Sequence, residues 1–252
     1  MLRFDEETRN LLDMAYLGSD FVKRRGASFD RLQVRPSERI LEIGCGNGLM
    51  TEELARAVGE SGQVVGIDLS GEMLASAIDR CAPFPQAEFK ECGADATGFA
   101  DASFDKAVSV QVFEYIPDIE SAVRESHRVL RPGGKLVIGD MHFDTWAWHS
   151  DHPERMARMM ASWDHHMAHR NTATILSPIL RSQGFEVEEV HPHPMVDVDL
   201  KPDGMAAILI LLMKAYAIEN GHVPEAEVLA WEAEQRSLAR ERKFFHSMTH
   251  FV

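Results

Sequence analysis

Little in this 252-residue chain suits covalent bracing, a lipid bilayer or a polyanion. Cysteine is scarce. Cys45, Cys81 and Cys92 are too few for a disulfide framework and fit a reducing compartment. No apolar run approaches the ~20 residues that a membrane-spanning helix needs, and the most apolar stretch, Met205 to Leu212, is soon broken by Lys214. Positive charge is also in short supply: 26 Lys and Arg stand against 40 Asp and Glu, a formal charge of −14. Such a balance repels phosphate backbones and anionic lipid, and the nearest approach to a basic patch is the short run Lys23-Arg24-Arg25. The opening Met-Leu-Arg-Phe-Asp-Glu-Glu lacks the basic start and apolar core of a signal peptide. These absences predict a cytoplasmic chain with neither nucleic acid nor membrane as partner. The remainder, 45% hydrophobic and 26% charged, is ordinary globular composition.

What is present has a grammar. Residues 4 to 33 mix charged and apolar positions, with Leu11, Leu12, Ala15 and Tyr16 at helical spacing, and predict two short helices broken at Gly18-Ser19, with Ser19 or Asp20 as N-cap. After Pro36-Ser37, short apolar strands alternate with helical runs. Strands are predicted over 39–43, 63–67, 87–91, 104–110 and 135–139, and helices over 50–58, 71–80 and 118–130. The turn Arg131-Pro132-Gly133-Gly134 introduces the fifth strand. Beyond residue 140 the pattern predicts a helical stretch after Pro153, a helix over 172–182, a strand over 185–190, helices over 205–219 and 225–242, and a closing strand from Phe244 to Val252. This alternation predicts an α/β fold: a Rossmann-like, doubly wound sheet of about seven strands, the last antiparallel, with helices on both faces and a helical cap or lid. One domain is expected, with an N-terminal helical lid (1–35), a ligand-binding core (36–140) and substrate-side helices and closing strands (141–252).

The most informative segment is Leu41-Glu42-Ile43-Gly44-Cys45-Gly46-Asn47-Gly48, where a strand ends and a helix begins. Glycines there let the backbone turn tightly and approach a ligand. The spacing departs from the dinucleotide fingerprint G-x-G-x-x-G, because the third glycine comes one position early and the fingerprint position holds Leu49. Glu42 is also unhelpful beside a pyrophosphate but tolerable beside a ligand carrying an ammonium and a sulfonium.

Acidic-x-Gly-x-Gly-x-Gly, with Val64-Val65-Gly66-Ile67-Asp68, Gly93-Ala94-Asp95-Ala96, Ser103-Phe104-Asp105 and Leu130-Arg131-Pro132-Gly133-Gly134 following in order, resembles the class I S-adenosylmethionine-dependent methyltransferases over roughly residues 38 to 140. Phe113-Glu114-Tyr115-Ile116-Pro117-Asp118 is most similar to their ubiquinone/menaquinone-biosynthesis-like group, which methylates small molecules at O, N or C. The resemblance implies S-adenosyl-L-methionine as cofactor, with S-adenosyl-L-homocysteine as product. It implies that Glu42, Gly44, Cys45, Gly46 and Gly48 form the binding loop and that Asp68 accepts bonds from the ribose hydroxyls. Leu69 and Met73 would flank the adenine, Asp95 with Ala96 would take its amino group, and Gln111 and Tyr16 would complete the cofactor site. It also implies a last strand running a few residues past Val252. The Asn/Asp-Pro-Pro-Tyr/Phe motif of amide and exocyclic-amine methyltransferases is absent after the fourth strand, where Gln111-Val112-Phe113-Glu114 stands.

Residues just after strands four and five should face the reacting methyl, so His142, Glu114 and Tyr115 are the candidates for moving a proton. Six of the twelve histidines fall between His142 and His169, with His165 and His169 one turn apart, but no spacing matches a zinc signature and no metal is expected. Trp146, Trp148, Trp163, Met156, Met159, Met160 and Met167 suit a pocket for an apolar or aromatic small molecule. They suit ordinary core packing equally well. The segment 146–170 and the region of Tyr16 are expected to close over the cofactor. The helix Met205 to Ala217 is apolar almost all round and must be buried, by the last helix or by its copy in a homodimer built through the C-terminal helices. Rival readings are a nicotinamide-dependent oxidoreductase, against which Leu49 argues, and a non-catalytic S-adenosylmethionine-binding protein.

Overall fold

The structure, a computed structural model, describes residues 16–252; the first of the two expected N-terminal helices falls outside them. Among the described residues, helix α1 (Ser19–Leu32) leads into β1 (Arg39–Ile43), α2 (Leu49–Val58), β2 (Gln63–Asp68), α3 (Gly71–Cys81), β3 (Ala87–Glu91) and β4 (Phe104–Val110). A short 3-10 turn (Phe113–Tyr115), α4 (Ile119–Val129), β5 (Leu130–Trp148), α5 (Pro153–Asp164) and α6 (Thr172–Ser182) follow. The chain then forms β6 (Pro192–Asp197), α7 (Met205–Glu219), α8 (Glu225–Arg240) and β7 (His246–Phe251). The seven strands make one sheet in the order β3-β2-β1-β4-β5-β7-β6. β1 to β5 are mutually parallel, and β7 runs antiparallel to both β5 and β6. The central strands carry apolar residues on both faces because helices cover both. Ile40, Val64 and Val108 pack with α1 and α2, whereas Leu41, Ile43, Val65 and Ile67 pack on the opposite side.

Four expectations are corrected. The fifth strand is far longer than 135–139, running to Trp148 because its second half pairs with β7, Met141 opposite His250 and Trp148 opposite His246. Arg131-Pro132-Gly133-Gly134 lies within it as a bulge, the register against β4 jumping from Leu130 to Lys135. The strand expected over 185–190 forms instead at 192–197, where the outer edge of β7 is taken. Pro192 and Pro194 are tolerated because β6 is an edge strand, whose prolines need no ladder partner on the solvent side. Neither Ser19 nor Asp20 caps α1, whose N-cap is Gly18; the Asp20 carboxylate accepts from Met205 N at 3.0 Å and caps α7.

The apolar α7 is covered within the chain. It lies against α5 and α8 in a cluster that includes Trp146, Trp148, Trp163, Met159, Tyr216 and Trp231. No second copy is needed to bury it, so the apolarity of α7 is no argument for a dimer. No helix among the described residues is long and apolar enough to cross a membrane.

Candidate active site

The strand-end crevice is built by backbone conformation before any side chain acts. Gly44, Gly46 and Gly48 all adopt positive φ, +70°, +51° and +80°. Gly44 N and Cys45 N both donate to Ile67 O, at 2.8 and 2.9 Å, which stitches the loop to the end of β2. A Cβ on Gly44 would lie 2.2 Å from Val112 Cγ2, and one on Gly48 would lie 2.9 Å from Ala77, so these two glycines permit the loop to pack. A Cβ on Gly46 would meet nothing within 4 Å. That open face is where a ligand can approach the backbone.

Asp68 ends β2 and organises the loop. One carboxylate oxygen accepts from Gly46 N and the other from Ser70 N, both at 2.9 Å. Leu69 beside it is 77% exposed, whereas Met73 is buried in the aromatic and methionine cluster. Leu69 is thus a free apolar platform and Met73 a wall. Glu42 is buried and accepts a bond from the Thr51 hydroxyl. Burial, reinforced by the charge of nearby Asp68, pushes its carboxyl up to about 8. Cys45 is buried and burial drives its thiol far above the usual range, which fits a packing residue and not a nucleophile.

Asp95 and Ala96 are exposed after β3. Their loop is held by a network that sequence reasoning missed: Thr97 N and Oγ1 donate to Glu125 Oε1 at 2.8 and 2.5 Å. Arg128 pairs with the same carboxylate at 2.7 Å. These bonds, that to Arg128 foremost, hold Glu125 down at about 2. A Thr 28 residues from a helical Glu carries no local signal; only the fold brings them together.

After β4 the chain makes a tight descent. Gln111 takes φ +60°, its N donates to Gly139 O at 2.7 Å, and its side-chain oxygen accepts from the Arg24 guanidinium of α1. Glu114 is fully buried. Its Oε2 accepts from Met141 N at 3.4 Å and its Oε1 has no partner. Burial and the neighbouring Asp140 carboxyl push Glu114 well up. Asp140, also raised by burial, accepts from Val112 N at 3.0 Å through Oδ1, and its Oδ2 has no partner. Tyr115 Oη lies 3.4 Å from His166 Nε2, and its phenol is raised by burial and by Glu114. The half-buried Tyr16 packs its ring 5.6 Å from Phe21 on the same side.

The structure therefore gathers Glu42, the glycine loop, Asp68, Gln111, Glu114 and Tyr115 at the strand ends. His142 stands apart. Met141 and Phe143 pack in the aromatic cluster, and the intervening His142 shares the opposite face of β5 with Asp140, its ring 5.5 Å from Phe251. Arg24 and Asp140, absent from the expected site, join it.

An open glycine, a carboxylate anchored by two backbone amides and an exposed apolar platform in a row suit an adenosine ligand with a polar tail, and the donor set fits S-adenosylmethionine. The topology and this loop define a Rossmann-like ligand-binding fold. Residues 41–138 match the family described as Methyltransferase domain, and over that stretch the chain is similar to the class I S-adenosylmethionine-dependent methyltransferases. A demethylmenaquinone methyltransferase of Lysinibacillus sphaericus is 35% identical over 113 residues, covering 45% of this chain and 48% of that protein. The O-methyltransferase cnsE of Penicillium expansum is 34% identical over 167 residues, covering 64% and 56%. The chain spans about half the length of these curated relatives. Among solved structures, the Haemonchus contortus phosphoethanolamine N-methyltransferase 2 superposes with a TM-score of 0.62 at 18% identity, covering 98% of this chain and 57% of that one. The cyclase SpnF superposes at 0.58 and 20% identity, covering 91% and 79%. Such likenesses establish the fold alone, and a cyclase among them underlines that reaction type lies in the site.

Proposed function

We propose that this protein transfers the methyl group of S-adenosylmethionine to an O, N or C nucleophile of a small apolar or aromatic metabolite. The observation that carries the reading is the contact between buried polar groups and an apolar cluster. Glu114 accepts from Met141 N, and Tyr115 and Trp163 both pack on the ring of His166, beside buried Trp146, Met159 and Phe143. The names of the relatives, a demethylmenaquinone methyltransferase and an O-methyltransferase, support acceptors of this kind.

When bound, the cofactor supplies an electrophilic methyl on a sulfonium. The loop at Gly46, with Asp68, Leu69 and Asp95, would hold it. The chain's remaining work is to align the acceptor and exclude water; α1, Tyr16 and the aromatic cluster serve this. Glu114 and Tyr115 are the groups proposed to hold or move a proton if the acceptor must lose one. A buried carboxyl raised toward neutrality suits that role better than an ordinary one. His142, on the face of β5 away from the aromatic cluster and with its ring against Phe251, is the weaker candidate. The test is a mass-spectrometric methyl-transfer screen over naphthoquinols, phenols and aromatic amines. Methylated product with loss on Asp68→Ala is expected; a chain that binds S-adenosylhomocysteine yet methylates none of these classes overturns the proposal.

A further inference from the structure

We infer that His166 is a positioning residue that takes the hydroxyl hydrogen of Tyr115, so that the Tyr115 oxygen selects methyl acceptors bearing an O–H or N–H; the inference rests on the methyltransferase reading. His166 belongs to the histidine-rich stretch before α6, lies in the turn after α5 and is 6% exposed. Its ring is held from three sides. The Trp163 ring lies 3.8 Å away between centroids, and those of Tyr115 and Tyr216 stand at 5.6 and 5.8 Å. The turn itself is tied to the site. Ala168 N and His169 N both donate to Glu114 O, at 2.9 and 3.0 Å, and His169 Nε2 lies 3.2 Å from Pro117 O. These bonds fix His166 against the 3-10 turn that carries Tyr115.

Hydrogen bonding decides the tautomer. His166 Nδ1 meets Trp163 O, which can only accept, so Nδ1 carries the hydrogen. Burial holds the imidazole down at about 4, so the ring is uncharged at neutral pH and Nε2 is bare. Nε2 lies 3.4 Å from Tyr115 Oη. A bare nitrogen can only accept, so the phenol donates to it. Glu114 is the rival partner, but burial pushes it toward its protonated form, which weakens it as an acceptor of hydrogen bonds. With its hydrogen committed to His166, the Tyr115 oxygen offers lone pairs alone. A hydroxyl or an amine can donate to them; a tertiary amine or a carbon nucleophile cannot. The same bond turns the hydrogen of the methyl acceptor toward Tyr115 and leaves its own lone pair for the methyl.

Two measurements on the full chain test this. Proton–nitrogen correlation NMR of the histidines should show His166 with hydrogen on Nδ1, and its Nε2 signal should move in Tyr115→Phe, which lacks the donor. Hydrogen on Nε2, or an Nε2 signal indifferent to Tyr115→Phe, overturns the inference. The second measurement is turnover of a phenol or aromatic amine methylated in the screen above. His166→Phe should lower kcat roughly tenfold while S-adenosylhomocysteine affinity stays within about twofold. His166→Gln, whose amide oxygen can accept from the phenol, should recover part of the loss. Added to Tyr115→Phe, His166→Phe should change kcat by less than about twofold, since the bond it removes is already gone. Additive losses, no recovery in His166→Gln, or methylation at carbon alone each overturn the inference. If His166→Phe does not fold, the NMR of the wild type and of Tyr115→Phe, with His166→Gln added to Tyr115→Phe, decides by the same criteria. Absence of any methylated product overturns the methyltransferase reading, a result distinct from a wrong tautomer.

Discussion

The two halves of the crevice are held together by different physics. On the cofactor side, from Gly44 to Asp95, the structure is backbone: three residues at positive φ and a loop stitched to Ile67 O and the Asp68 carboxylate. On the proposed acceptor side, beyond Asp140, it is side-chain packing, with Trp148 against Trp231 at 5.7 Å and Trp163 against Tyr216 at 5.8 Å. Backbone constraints tolerate few residue types and recur as short motifs. Packing accepts many combinations of similar volume and leaves no motif. The first half therefore admits few substitutions, while the second can be reshaped by exchanging side chains.

The sharpest challenge to this contrast is Trp231→Ala. Trp231 is fully buried, so truncation should cost about 3–5 kcal/mol of stability, read by chemical denaturation. The affinity of the folded fraction for S-adenosylhomocysteine should stay within about twofold. A large loss of affinity would mean the halves are not separable.

Asp68→Ala should act in the opposite sense. It removes the acceptor of the Gly46 and Ser70 amides along with the proposed ribose contact, each charge-assisted bond being worth ~1.5–3 kcal/mol. Calorimetry should show cofactor affinity falling at least tenfold, more than the melting temperature falls in proportion. Gly46→Ala is a finer probe. Its positive φ costs only about 1 kcal/mol with alanine, and the new methyl enters open space, so a small loss of stability should accompany a loss of binding. Unchanged binding would remove Gly46 from the ligand surface.

Glu42→Gln tests the buried carboxyl. Glu42 titrates near 8 in the fold against an ordinary 4.5, so between those values the folded state holds a proton that the unfolded chain has released. Stability therefore falls as pH rises from about 4.5 to 8 and levels off above. The variant should show a shallower fall across that window in denaturation series, with a residual slope from Glu114 and Asp140, which are shifted in the same direction. The smallest effect is expected for His142→Ala. With its ring against Phe251 on the face away from the aromatic cluster, turnover on an identified acceptor should change by no more than a few-fold. A hundredfold loss would restore it as the proton acceptor.

Legibility followed the same divide. The loop, Asp68 and Asp95 could be read because a βα turn is local, its demands falling on consecutive residues. Glu114 and Tyr115 were legible as the residues after β4. Arg24 was visible only as part of a basic run, since its bond to Gln111 spans 87 positions. The Thr97–Glu125 support escaped for the same reason. Position after the fifth strand points to His142, but alternation along β5 turns its side chain away from the neighbours that line the aromatic cluster.

The sequence by itself determined the strand-helix rhythm of residues 39–139, the glycine loop and the positions of Glu42 in β1, Asp68 at the end of β2 and Asp95 after β3, because these depend on backbone torsion and local hydrogen bonding. Tertiary structure decided where β5 ends, which residues make β6, what covers α7 and which cation reaches Gln111. Each of those depends on which edges and faces remain unpaired after the chain has folded back on itself, and no window of sequence contains both partners.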